Sequence, residues 1–268
     1  MPRLHTDQAY EGELRRIREM LLMMGAKVEE MLGQAMKALV ERDSELAENT
    51  LYIDRQINRL ELQVDDLCLS VLARRQPVAS DLRFITMALK VVTDLERMGD
   101  LGVNICERVL ELNQEPPLKP YLEVVNMAEA AQEMLREGLD AFVAGDAERA
   151  AAIIERDSTV DAYYAAIFRE LLTYMMENPR NIYRATREQS IAKYLERIAD
   201  HATNVAEMVV FMVHGKDIRH VGKLERRGSA RPPPATPVGA EAFAPAPAKD
   251  SVASLRDLAG AVTLRRNT

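Results

Sequence analysis

The side chains with the clearest capacity for chemistry occur twice. LERMGDLGVNICE at 95–107 aligns without gaps, at an offset of 100, with LERIADHATNVAE at 195–207. Six of the 13 positions are identical: Leu, Glu, Arg, Asp, Asn and Glu. Glu96 and Asp100, like Glu196 and Asp200, stand four residues apart. On a helix such residues are surface neighbours, and two negative charges there repel. A hard cation removes that repulsion. Oxygen donors suit Mg²⁺, Ca²⁺, Mn²⁺ or iron, with Zn²⁺ a further candidate. At about 100° per residue, with Glu96 at 0°, Asp100 falls near 40°, Asn104 near 80° and Glu107 near 20°. Val91, Leu95, Met98, Leu101, Ile105 and Val109 gather on the opposite side, as a core stripe does. The second copy repeats this, with Glu196, Asp200, Asn204 and Glu207 opposite Ile191, Leu195, Ile198, Val205 and Val209.

Upstream, Asp54-x-x-Ile57-Asn58 matches Asp157-x-x-Val160-Asp161 at an offset of 103. These acidic positions flank their apolar stripes, so each pair can meet the ladder of a neighbouring helix. The candidate ligands are therefore Glu96, Asp100, Glu196, Asp200, Asp54, Asn58, Asp157 and Asp161, with Asn104, Asn204, Glu107 and Glu207 as weaker ones. Glu61 and Asp65 form another four-residue pair, without a clear counterpart in the second copy. Two readings stay open. One is a metal site shared by two helices in each copy; the other is a solvated acidic face of the kind long helices carry. Arg97 and Arg197 either pair with these acids or rim a docking surface.

The elements that must carry these residues follow from the prolines. Only Pro77 interrupts 14–112 and only Pro179 interrupts 121–215, while Pro116, Pro117 and Pro120 separate the two blocks. Proline breaks helices, so long proline-free blocks permit long helices. The pattern predicts helices over 13–42, 44–75, 79–113, 120–144, 146–177 and 181–214. Ser80 is read as an N-cap with Asp81 in the first turn, and Gly215 as a stop. Helices of this length pack side by side, and short connections make neighbours antiparallel. The fold class is all-α: two tandem pseudo-symmetric three-helix bundles over 10–115 and 118–216. A Pro-, Ala- and Arg-rich tail over 217–268 is expected to be disordered.

Composition agrees. Aromatics make up 5% of the 268 residues and Trp is absent, which disfavours a large sheet. Residues 216–268 hold 10 basic and 5 acidic side chains, leaving 25 and 37 for the rest. So acidic a body argues against nucleic acid as a partner. Cys68 and Cys106 have no metal spacing and read as core residues. The N-terminus has no apolar run of signal-peptide length and no stretch approaches a membrane span, so a cytoplasmic location is expected. No nucleophile triad or Gly-rich phosphate loop is visible. A carboxylate-bridged metal enzyme on a helical bundle is an alternative, but it wants Glu-x-x-His on inward faces. None of His5, His201, His214 and His220 has Glu three residues before it. A structural helical adaptor without metal is the third reading.

RRQPVASDLRFITMALKVVTDLERMGD at 74–100 and IAKYLERIADHATNVAEMVVFMVHG at 191–215 resemble the two signatures of the PhoU family. The likeness extends over about 10–215 of this sequence. It implies a non-enzymatic negative regulator of phosphate uptake and of the phosphate-starvation response. Such a protein links the phosphate ABC transporter ATPase to the sensor histidine kinase, forms a homodimer, and approaches the membrane only through those partners. It also implies metal binding through Glu/Asp-x-x-x-Asp motifs, which fall here on Glu96/Asp100 and Glu196/Asp200. Asn58 departs from a carboxylate and binds a cation more weakly. Asp81 and Arg83, in the first signature, join Arg97 and Arg197 as docking candidates.

Overall fold

The structure is a computed structural model, and it describes residues 8–215. Within them are six α-helices: α1 Gln8–Glu41, α2 Ser44–Arg75, α3 Ser80–Asn113, α4 Leu122–Ala144, α5 Ala147–Glu177 and α6 Ile182–His214. A single 3₁₀ turn, Pro179–Asn181, precedes α6. Among the described residues there is no strand, and no helix is long and apolar enough to cross a membrane. The tail expected over 217–268, with His5 and His220, lies outside the described residues.

The helix ends show the duplication. Asp43 caps α2 by accepting the Leu46 N–H at 2.9 Å, and Asp146 caps α5 by accepting from Glu148 and Arg149 at 3.1 and 3.0 Å. The two aspartates occupy the same position in the two repeats, and each satisfies backbone donors the first turn leaves open. Gly215 ends α6 in the left-handed conformation, as expected. The start of α3 differs from expectation. Ala79, not Ser80, is the N-cap; it sits at φ 50°, ψ −112° and offers no side-chain cap. The turn Val78–Asp81, closed by the Asp81 N–H on the Val78 carbonyl, places Ser80 already inside the helix.

Helices α1–α3 form one three-helix bundle and α4–α6 the other. Two seams join them, each between a helix and its own duplicate. In the first, α3 runs antiparallel to α6. Arg83 Nε donates to the Met212 carbonyl at one end, while Arg187 and Tyr183 meet Glu111 at the other. In the second, α1 crosses α4, with Arg136 on Glu29 and the Gln132 amide donating to the Glu29 carbonyl. A helix meeting its own copy is what an internal twofold produces. Close approach at the α1–α4 seam needs Gly25: a Cβ there would lie 2.0 Å from Leu139 Cδ1. Among the described residues α2 and α5 touch no helix of the opposite bundle. They are the outer helices.

Candidate metal-binding site

The groove between α2 and α3 collects acids. Gly99 lets the helices close: a Cβ on it would stand 3.1 Å from Ile57 and 3.5 Å from Asp54 Oδ1. Asp54 is thereby placed against the turn of α3 that carries Glu96 and Asp100. Asn58 Nδ2 donates to Asp54 Oδ2 at 2.9 Å, and this leaves Asp54 Oδ1 and Asn58 Oδ1 buried without a hydrogen-bond partner. Buried oxygens of this kind are destabilising unless something satisfies them.

The electrostatics centre on Asp100. Burial, then repulsion from Asp100, raises the Asp54 carboxyl above the usual range. Burial, then Asp65 and Asp100, raises Glu61. Burial, then Asp100 and Glu61, raises Glu96, which also shares a hydrogen bond with Asp100. Helices α2 and α3 therefore bring Asp54, Asn58, Glu61, Glu96 and Asp100 into one negative field. Glu61 belongs with this group, although its lack of a duplicate counted against it at the level of sequence. The signal was present: 54, 58, 61 and 65 follow helical spacing along one side of α2.

The second bundle repeats the arrangement with different neighbours. Asp200 takes the central position. Burial, then Asp157, Glu196 and Asp161 among the acids, raises it, while Lys193 opposes them. Lys193 pairs with Glu196 and lies 5.3 Å over the ring of Tyr164. Thr203 Oγ1 donates to Asp157 Oδ1 at 3.3 Å. The positions matching Glu61 and Asp65 are Tyr164 and Phe168, whose rings stack at 6.5 Å. The second face is thus the less negative of the two.

The weaker candidates lie one turn further along. Asn104, Asn204 and Glu207 are half-buried, and exposed Glu107 pairs with Arg108 at 3.2 Å. Arg97 and Arg197 are exposed. Asp81 and Arg83 have internal contacts: Tyr10 donates its hydroxyl to Asp81 at 3.1 Å, and Arg83 holds the Met212 carbonyl at 3.0 Å. Cys68 and Cys106 are buried, free thiols.

Among the described residues no three His, Cys, Asp or Glu are drawn together at metal-ligand distances. The residues nonetheless suit a hard cation. The donors are oxygens, two of them are buried and unsatisfied, and Asp54, Glu96 and Asp200 are held above their usual range by burial and then by repulsion from their acidic neighbours. Asp54, Asn58, Glu61, Glu96 and Asp100 would hold one ion, and Asp157, Asp161, Glu196 and Asp200 a second. A bound ion would supply the positive charge that lets all of these carboxylates stay ionised.

Known proteins share this architecture. The family model for the PhoU domain matches residues 21–109 and 124–209, one match in each bundle. A phosphate-specific transport system accessory protein PhoU homolog from Pseudomonas putida is 43% identical over 219 residues, covering 81% of this chain and 86% of that protein. Phosphate-specific transport system accessory protein PhoU of Escherichia coli K12 is 37% identical over 220 residues, covering 81% and 90%. The crystal structure of PhoU from Pseudomonas aeruginosa superposes with a TM-score of 0.74 at 43% identity, covering 77% of this chain and all of that one. With both bundles matched and relatives this similar along most of their length, the chain belongs to the PhoU family.

Proposed function

We propose that this protein is an accessory regulator of a phosphate-specific transport system. In this reading it represses phosphate uptake and the phosphate-starvation response. It acts in the cytoplasm as a non-catalytic adaptor between the transporter ATPase and the sensor histidine kinase. The observation that carries the reading is the joint match of both bundles to one family. Its relatives from Pseudomonas and Escherichia coli bear the name of transport-system accessory proteins. The acids face the groove and the solvent, away from the core stripes, which supports a binding role over buried chemistry. A homodimer is part of the same proposal: Tyr52, Leu62 and Leu69 are exposed along α2, an outer helix with room for a partner.

Within that adaptor the two acidic faces bind divalent or ferric ions, Fe, Mg, Mn, Zn or Ca, and the ions stiffen the α2–α3 and α5–α6 faces that partners meet. The test of the adaptor role is deletion of the gene. Loss of phosphate-dependent repression is expected, and restoration by the full chain on a plasmid. Phosphatase expression that stays low at high phosphate in the deletion strain would contradict the proposal. Co-purification from phosphate-replete cells should bring down the transporter ATPase or the kinase.

A further inference from the structure

The second bundle carries a charged cluster inside its packed end that the first bundle lacks. The chain from the end of α3 to the start of α4 is held by two arginines and by its own Lys119. Arg42 Nη2 donates to the Asn113 carbonyl at 2.7 Å, and Arg184 Nη1 donates to the Pro116 carbonyl at 2.8 Å. Lys119, only 8% exposed, inserts its ammonium among three carboxylates from three helices. It contacts Glu170 of α5, Glu123 of α4 at 3.3 Å and Glu188 Oε1 of α6 at 3.9 Å. Glu188 is 1% exposed, and its Oε1 is buried with no hydrogen-bond partner. At the duplicate positions of the first bundle stand Met20, Leu67 and Ala88, with exposed Arg16 in place of Lys119. Three apolar residues have become three acids around one lysine.

Lys119 gives its hydrogen bonds to Glu123 and Glu170, whose side chains are 41% and 40% exposed, and none to the buried Glu188. A buried carboxylate without a hydrogen bond is strongly disfavoured, and the simplest ligand that relieves it is a proton. We propose that Glu188 is a proton-binding switch: its protonated form seats the Lys119 strap between the two repeats, and its ionised form loosens it. The groups that face it are Lys119 and Tyr121 from the strap, Glu123 from α4 and Glu170 from α5. Arg42 and Arg184 act on the neighbouring Tyr121 hydroxyl, which burial and then Glu188 raise. Burial pushes Glu188 up to about 7 from 4.5; Lys119 opposes the rise, and Glu170 and Glu123 add to it. Burial alone would lower Lys119, but the Glu170 hydrogen bond, the charges of Glu188 and Glu170 and the Glu123 hydrogen bond raise it; the Glu170 and Glu123 contacts remain when Glu188 is protonated.

The direction follows from linkage. The seated form binds the Glu188 proton more tightly than an open form in which Glu188 is solvated. Seating is therefore fully favoured below 4.5 and is lost as pH rises through about 7. Between about pH 6 and 8 the strap's opening equilibrium rises roughly tenfold.

Hydrogen exchange on the full chain, corrected for the intrinsic pH dependence, reads this directly. The reporters are the hydrogen-bonded amides at the two ends of the strap, Glu115 on the Leu112 carbonyl and Val125 on the Tyr121 carbonyl. Wild-type exchange should accelerate about tenfold across that range. Glu188→Gln, which imitates the protonated acid, should abolish the pH dependence and keep the slow rate. Lys119→Met should exchange fast at every pH. A flat wild-type profile overturns the proposal without any variant. An unchanged pH profile in Glu188→Gln, or a protected strap in Lys119→Met, overturns it too.

Discussion

Asn58→Asp tests the acidic groove most sharply, because metal should offset the loss it causes. Asn58 donates to Asp54 at 2.9 Å, and both residues have a buried oxygen without a partner. Aspartate removes the donor and places a second carboxylate four residues from Asp54, as Asp161 stands to Asp157. Loss of a hydrogen bond to a charged group costs about 1.5–3 kcal/mol. The added repulsion is limited because the pair can take up a proton, so about 2–3 kcal/mol of destabilisation is expected near neutral pH. In a protein of this size that lowers the midpoint of thermal unfolding by roughly 5–10 °C. A divalent cation offsets the loss to the extent that the variant binds it more tightly than wild type does. The variant gains a charged ligand, and a free concentration of about 100 Kd contributes about 2.7 kcal/mol to the folded state. Thermal unfolding followed by circular dichroism, in EDTA and then in Mn²⁺ or Mg²⁺, measures both arms. If the variant is as stable as wild type in EDTA, the groove is not the strained, electron-rich site described. If saturating metal leaves the deficit in place, the groove is not a cation site.

Three further outcomes follow from the packing. Gly25→Ala should destabilise by about 1–3 kcal/mol in urea unfolding, because its Cβ meets Leu139 at 2.0 Å. Gly33→Ala in the same helix should instead stabilise by about 0.5–1 kcal/mol, since its nearest neighbour is Gln132 at 3.6 Å and helix propensity decides. Asp94 and His201 meet at 2.7 Å across the α3–α6 seam, both nearly buried. Asp94→Ala should cost about 1–3 kcal/mol by stranding His201, and adding His201→Leu should recover most of it. Leucine already holds the duplicate position, at Leu101. A double variant as unstable as the sum of its parts would show that the pair is not coupled.

Helix positions were readable because prolines, Asp caps and the 3.6-residue period act locally and agree with one another. The offset of 100 between the two Leu-Glu-Arg segments carried the duplication, and the duplication carried the architecture. Convergence of α2 acids on α3 acids was legible only as a possibility of the stripes, since it depends on Gly99 letting the helices close. The Ala79 cap escaped because a left-handed alanine defies local preference, and Ser80-Asp81 supplies a better-looking start. Glu188 left a trace: it falls on the apolar stripe with Ile191, Leu195 and Ile198, where an acid is out of place. Its partner Lys119 left none, because a loop side chain entering the core has no periodicity to betray it. The His201–Asp94 contact, 107 residues apart, is tertiary in origin and has no local signal.

Elemental analysis and calorimetric titration of the purified full chain, compared with a variant carrying Glu96→Gln, Asp100→Asn, Glu196→Gln and Asp200→Asn, bear most directly on the matched acidic faces. Wild type should take up about two divalent or ferric ions per chain, one for each bundle, and the variant should take up essentially none while keeping its helical circular dichroism. Equal metal content in the two proteins would contradict the account.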